Sequence, residues 1–171
     1  MIAETSFGHL RALIVEDNGH MRLLLRALLG VVGLTDIMEA NDGAAALALL
    51  RQNQYDIVFS DMSMKPMDGL SFTRAVRGDR SSPNPFVPIV MITGHTERQR
   101  VEQARDAGVT EFLAKPITAQ SLYSRIAEIV ERPRPFVRCE DFFGPDRRRR
   151  EQEHYSGPCR RDEDADDITL L

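Results

Sequence analysis

Residues 56–70 of this chain read DIVFSDMSMKPMDGL. Ile57, Val58 and Phe59 follow one another without the polar alternation of a half-solvated strand. Asp56–Ser60 therefore reads as a strand buried on both faces, with Asp61 at its C-terminal end. Beyond it, Asp68–Arg77 reads as a helix with Leu70, Phe72 and Val76 apolar. This is one strand–helix unit, and the same alternation extends in both directions. Upstream, Leu10–Val15 is a short apolar run. The helix after it can be capped by Asn18, carries Leu24, Leu28 and Val32 at i, i+4 and i+8, and ends near Gly33. Thr35–Ala40 is a second strand, and Asp42–Asn53 a helix with Ala46, Leu47 and Leu50 on one face. Downstream, Phe86–Thr93 is a fourth strand. Thr96–Ala107 is a polar helix whose apolar stripe is only Val101, Ala104 and Ala107. Thr110–Ala114 is a fifth strand, and Thr118–Glu131 a helix with Leu122, Ile126, Ile129 and Val130 inward.

Five such units in succession predict an α/β domain over residues 8–131. Its expected architecture is a five-stranded, parallel, doubly wound sheet of flavodoxin-like type, with helices on both faces. A (β/α)₈ barrel needs eight units. The 171 residues are 42% hydrophobic, enough for one core without disulfide or metal staples. The net charge of −4, from 22 basic and 26 acidic side chains, speaks against a whole-chain polyanion binder. Two cysteines, Cys139 and Cys159, form no disulfide framework and suit a reducing compartment. No apolar run approaches the ~18 residues of a membrane span. The N-terminal MIAETSFGH lacks the basic-then-apolar pattern of a secretory signal. The expectation is a cytoplasmic chain that does not enter a membrane.

In an open doubly wound sheet, ligands bind beyond the C-terminal ends of the strands. There the first strand is followed by Glu16-Asp17, the third by Asp61, the fourth ends in Thr93 and the fifth is followed by Lys115-Pro116. Carboxylates ~4 Å apart repel by roughly 4 kcal/mol at an effective dielectric of 20, so such a cluster needs a cation. Oxygen ligands of high charge suit Mg²⁺. A carboxylate beside the metal can then attack a phosphoryl group, with the lysine and the threonine hydroxyl holding its oxygens. Each group has a plainer role when taken alone. Glu16-Asp17 also suits the N-terminus of the first helix, Asp61 a turn, Thr93 a strand end and Lys115 a solvated surface.

These stretches resemble the receiver domain of two-component response regulators, of the stand-alone, chemotaxis type. LIVEDN (13–18), EANDGAAAL (39–47), DIVFSDMSMKPMDGL (56–70), PIVMITGH (88–95) and EFLAKPI (111–117) occur in the family's order. The resemblance implies a signalling switch rather than a turnover enzyme. Asp61 would accept a phosphoryl group from a histidine kinase or a histidine phosphotransfer protein. Glu16, Asp17, Asp61 and the backbone carbonyl of Ser63 would hold Mg²⁺. Thr93 would be the switch hydroxyl, Lys115 the partner of the phosphoryl group, and Phe112 either the switch aromatic or a core residue. The Lys115-Pro116 bond would be cis. A downstream protein would dock on the face made by the fourth helix, fifth strand and fifth helix. Two positions depart from the pattern. Lys65 stands where the family usually has proline, with Pro66 after it, and His95 lies two residues past Thr93. An aspartyl-phosphate phosphatase of the haloacid dehalogenase type is the alternative. It would need Asp-x-Asp after the first strand, where this chain has Glu16-Asp17-Asn18.

Residues 132–171 read as a largely disordered tail, Arg/Pro-rich and then acidic, beginning at Pro133-Arg134-Pro135. Its nine arginines face ten acids, and Leu, Ile, Val and Phe make up only 7 of 40 residues. That leaves no room for a DNA-binding domain. Residues 141–148 (DFFGPDRR) align with 154–161 (HYSGPCRR), a repeated G-P-x-R-R preceded by an aromatic. Gly-Pro sets a turn and the arginine pair suits a carboxylate or phosphate, so the repeat reads as a linear motif, with a solubilising tail as the alternative. Cys139, His154 and Cys159 match no compact zinc module and lack a fourth ligand.

Overall fold

The computed structural model of the chain describes residues 7–78, 82, 84–94, 98–139 and 142–146, and the backbone of 168–169. Strands β1 (Arg11–Val15), β2 (Asp36–Ala40), β3 (Ile57–Asp61), β4 (Ile89–Thr93) and β5 (Glu111–Ala114) alternate with helices. These are α1 (Gly19–Val31), α2 (Gly43–Gln52), α3 (Gly69–Gly78), α4 (Arg98–Ala107) and α5 (Ala119–Glu131). The strands form one parallel sheet in the order β2-β1-β3-β4-β5. Helix starts are set by side chains that satisfy orphan N–H groups. Asn18 accepts from the Met21 N–H at 3.1 Å, Asp42 from the Ala45 N–H at 2.8 Å, and Thr118 forms a reciprocal box with Ser121.

Strand residues alternate between two cores. Ala12, Ile14, Ile57, Phe59, Val90, Ile92 and Leu113 meet Leu25 and Leu29 of α1 and Leu122 and Ile126 of α5. Leu13, Val15, Val58 and Ile89 meet Ala46 and Leu50 of α2 and Phe72 and Val76 of α3. A smaller cluster joins Met62, Met91, Ala104 and Val109, with Leu70 and Phe112 against it.

Two helix faces differ from the expected stripes. α1 buries Leu25 and Leu29, whereas Leu24 is 48% exposed. Five leucines in α1 offer two apolar registers, and packing on α5 chooses between them. At the end of α5, Val130 turns outward and Ile129 packs inward. Phe7, one residue before the expected domain start, is fully buried and sits 5.4 Å from the Tyr123 ring.

The expected tail boundary at residue 132 is corrected by the structure. After α5, β6 (Phe136–Cys139) and β7 (Phe142–Pro145) pair antiparallel, and β8 (Ile168–Thr169) pairs with β6. Phe136 and Phe143 each stand edge-on to Phe86, with ring centroids 5.2 Å apart. Arg134 reaches the buried Glu111 carboxylate at 2.6 Å. Averaging apolar content over 40 residues hides its concentration: Phe136, Val137, Phe142 and Phe143 are four of the seven large apolar residues. Residues 142–146 carry the start of the first G-P-x-R-R copy. The second copy, with His154 and Cys159, lies outside the described residues, as does His95. Among the described residues no helix is long and apolar enough to cross a membrane.

Candidate functional site

The strand order explains where the site lies. From β1 the chain steps to β2 on one side, then crosses back over β1 to β3 on the other. The connections after β1 and β3 therefore leave toward opposite faces, to α1 and α3. Such a reversal opens a crevice at the carboxyl ends of the two strands. Glu16 follows β1 and Asp61 ends β3, so topology sets these two carboxylates on either side of it.

Asp61 is buried, with both carboxylate oxygens engaged. Oδ1 lies 2.7 Å from Lys115 Nζ, and Oδ2 accepts the Ser63 N–H at 2.8 Å. Lys115 is placed by backbone: its N–H donates to the Thr93 carbonyl at 2.9 Å, and the Lys115-Pro116 bond is cis. Lys65-Pro66 is cis as well, and Lys65 is exposed. The ammonium beside Asp61 is that of Lys115.

Glu16 is only 3% exposed. Its Oε1 accepts the Asn18 N–H at 3.1 Å, and Lys115 Nζ lies 3.8 Å from Oε2. Oε2 is buried without a hydrogen-bond partner. Burial pushes the Glu16 carboxyl above the usual carboxylate range, and the Asp61 charge adds to this, against the Asn18 N–H and the Lys115 ammonium. Asp17 differs: it is exposed. Three converging carboxylates are expected from the sequence, but among the described residues no three acidic, imidazole or thiol groups gather as a metal set. The structure unites Glu16, Asp61 and Lys115; Asp17 stays exposed, with its side chain beside that of Glu16.

Thr93 is buried and its hydroxyl lies 3.7 Å from Met62 Sδ, a weak acceptor. Half-buried Phe112 packs in the cluster that contains Met62. Met62 and Phe112 thus belong to one small cluster with Met91, which places Met62 beside the threonine hydroxyl, a position the sequence reading missed. Its only signal was its place directly after Asp61.

Gly69 was also missed. Its N–H donates to the Met62 carbonyl at 3.1 Å, and a Cβ there would collide with the Asp61 carbonyl and come within 2.9 Å of Met91 Sδ. Glycine lets α3 start against the backbone of β3. Gly69→Ala is expected to destabilise the fold by about 3 kcal/mol through overpacking, read as a lower midpoint in urea.

A sequence profile described as the response regulator receiver domain matches residues 12–127. The chain belongs to the response regulator receiver family. The chemotaxis protein CheY of Pseudomonas aeruginosa is 37% identical over 123 residues, 72% of this chain and 98% of that protein. CheY-3 of Vibrio cholerae is 33% identical over 124 residues, 72% and 94% of the two chains. Among solved structures, Vibrio cholerae CheY4 superposes with a TM-score of 0.64 at 28% identity, over 70% of this chain and 98% of that one. The receiver domain of a Pseudomonas aeruginosa sensor histidine kinase superposes with a TM-score of 0.60 at 28% identity, over 70% of this chain and 94% of that one. That protein carries a magnesium ion in its active site cleft. The receiver match ends at 127, so strands β6 and β7 lie beyond the matched residues.

Proposed function

We propose that this receiver is a phosphoacceptor switch in which Asp61 takes a phosphoryl group from a phosphohistidine on a kinase or phosphotransfer protein. The observation that carries the reading is the Lys115–Asp61 contact of 2.7 Å, at the carboxyl edge of the sheet and beside buried Glu16. An Asp61 carboxylate oxygen forms the new P–O bond. The P–N bond of the phosphohistidine breaks, and its electron pair stays on the imidazole nitrogen. The Ser63 N–H fixes the carboxylate, and the Lys115 ammonium moves from Asp61 to a phosphoryl oxygen as charge builds there. The Thr93 hydroxyl exchanges its weak thioether contact for a phosphoryl oxygen. That exchange reaches the cluster of Met62 and Met91 against which Phe112 packs.

The donor set fits a hard cation, because every donor is an oxygen and the buried Glu16 Oε2 has no hydrogen-bond partner. Glu16, Asp17, Asp61 and the Ser63 carbonyl would hold Mg²⁺, whose charge offsets that of the incoming phosphoryl oxygens. Without metal, Glu16→Gln is expected to stabilise the protein by about 1 kcal/mol, since the neutral side chain relieves desolvation and repulsion from Asp61. With Mg²⁺ titrated in, the same variant is expected to bind more weakly than wild type. Calorimetry with and without Mg²⁺ checks both signs. A variant less stable than wild type in EDTA would contradict the reading. Asp17→Asn, at an exposed position, is expected to move stability by less than ~0.5 kcal/mol.

The downstream partner is assigned to the α4–β5–α5 face, supported by the thin anchoring of α4 through Ala104 and Ala107. With Glu16-Asp17-Asn18 after β1 and the receiver profile over 12–127, nothing favours the phosphatase alternative. Phosphotransfer profiling against the source organism's histidine kinases tests the reading. Transfer to wild type and not to Asp61→Asn is expected, and transfer to neither would overturn it.

A further inference from the structure

We propose that residues 133–139 and 142–146 form a strap that is coupled to the phosphorylation site through β5. The inference rests on the phosphoacceptor reading of Asp61. The strap holds the domain at three points. Arg134 Nη2 meets Glu111 Oε1 at 2.6 Å, and Arg125 of α5 takes the other oxygen at 3.3 Å. The Arg77 guanidinium, buried at the end of α3, lies 5.0 Å from the Phe136 ring centroid and donates to the Gly108 carbonyl at 3.0 Å. Gly144 packs on Gly108, where a Cβ would fall 2.9 Å from Gly108 Cα. Gly108 closes α4 with a φ of +95°, and a Cβ there would sit 3.0 Å from the Phe143 carbonyl.

These contacts meet the ends of α4 and β5 nearest the strap. Glu111 is the first residue of β5, Phe112 the second, and Lys115 follows directly after its last. A strand of four residues spans roughly 13 Å at ~3.3 Å per residue, so one short rigid element touches the strap at one end and Asp61 at the other. When Lys115 moves from Asp61 to a phosphoryl oxygen, β5 is displaced. The Gly108–Gly144 contact has no slack to follow. The seam can part, because a cavity of about 170 Å³ lies between Phe86, Pro88, Ile129 and Phe136. Coupling between sites is reciprocal: loading Asp61 loosens the strap, and loosening the strap favours loading.

The test uses the full chain, Mg²⁺ and beryllofluoride as the phosphoryl analogue. Fluorine NMR reads occupancy of the site, and amide hydrogen exchange reads residues 136–139 and 142–145. Exchange in these strands is expected to rise at least about fivefold on loading, the lower end of ordinary coupling between sites. Arg134→Gln is expected to bind beryllofluoride at least about fivefold more tightly by the same linkage. A filled site with unchanged exchange in wild type overturns the coupling alone, whatever the folding of the variant. Failure of beryllofluoride to enter overturns the phosphoacceptor reading and the coupling with it.

Discussion

Asp61→Asn is expected to abolish labelling by acetyl phosphate in the presence of Mg²⁺, while the protein stays folded. The amide is nearly isosteric with the carboxylate, so the packing of β3 against β1 and β4 is kept. Its one amide oxygen can accept either the Ser63 N–H or the Lys115 ammonium, and the NH2 group then faces the other donor. What it loses is the anionic oxygen that forms the P–O bond, and no neighbour replaces it. Glu16 is the other buried carboxylate of the cleft; the Asn18 N–H holds its Oε1, and its Oε2 is enclosed from solvent. Intact mass after incubation with acetyl phosphate reads the result directly. Labelling of the asparagine variant at the wild-type level would show that the acceptor lies elsewhere. Loss of one negative charge beside Glu16 is expected to leave thermal stability within about 1 kcal/mol of wild type, since relief of repulsion offsets the weakened Lys115 contact.

Ending the chain at Glu131 is expected to lower the melting temperature by ~10–20 °C while leaving a folded domain that still accepts a phosphoryl group. Phe136 and Phe143 each contribute roughly 1.5–3 kcal/mol by burial against Phe86, although Phe86 itself is then exposed. Glu111 keeps Arg125 but loses its shorter partner, Arg134, and a buried carboxylate left with weaker compensation costs further stability. Arg77, which burial pushes down to about 9, regains water in the truncated chain, and this offsets part of the loss. The balance is about 3–6 kcal/mol, hence the expected shift. The two sheet cores do not include strap residues, so cooperative folding survives. A scan by differential calorimetry checks the figure. A melting temperature equal to that of the full chain would mean that the hairpin contacts contribute nothing in solution.

Much of the domain was legible because its signals are local. Short apolar runs bounded by Asn18, Asp42 and Thr118 set strands and helix starts within a residue or two of where they lie, except that β4 begins at Ile89, three residues after the expected Phe86. The residues at the strand ends could be named because a parallel sheet places every strand's carboxyl end on one edge. Asp61, Thr93 and Lys115 needed no further information than their places in the alternation. The family resemblance added roles to positions already singled out.

Other features are decided between residues distant in the chain. Which leucines of α1 face inward depends on α5, since Leu24, Leu25, Leu28 and Leu29 fit two registers equally well. Glu16 rather than Asp17 enters the cleft because the first residue past β1 still faces the sheet neighbours, whereas the next has left them. Gly69 matters through the Asp61 carbonyl, and Gly144 through Gly108, close approaches that no periodicity announces. The hairpin after α5 is the largest case. Its composition, averaged over the whole C-terminal stretch, lacks the apolar content to order itself. The receiver supplies what is missing, with Phe86, Glu111 and Gly108 already held in place by the sheet. Sequence therefore determined the strands, the helices and the carboxyl edge that carries Asp61, Thr93 and Lys115, where each signal lies within one turn or one strand. Tertiary structure decided the pairing of buried Glu16 with Asp61 and Lys115 and the packing of the hairpin after α5, where stability comes from burying groups that neither segment can bury alone.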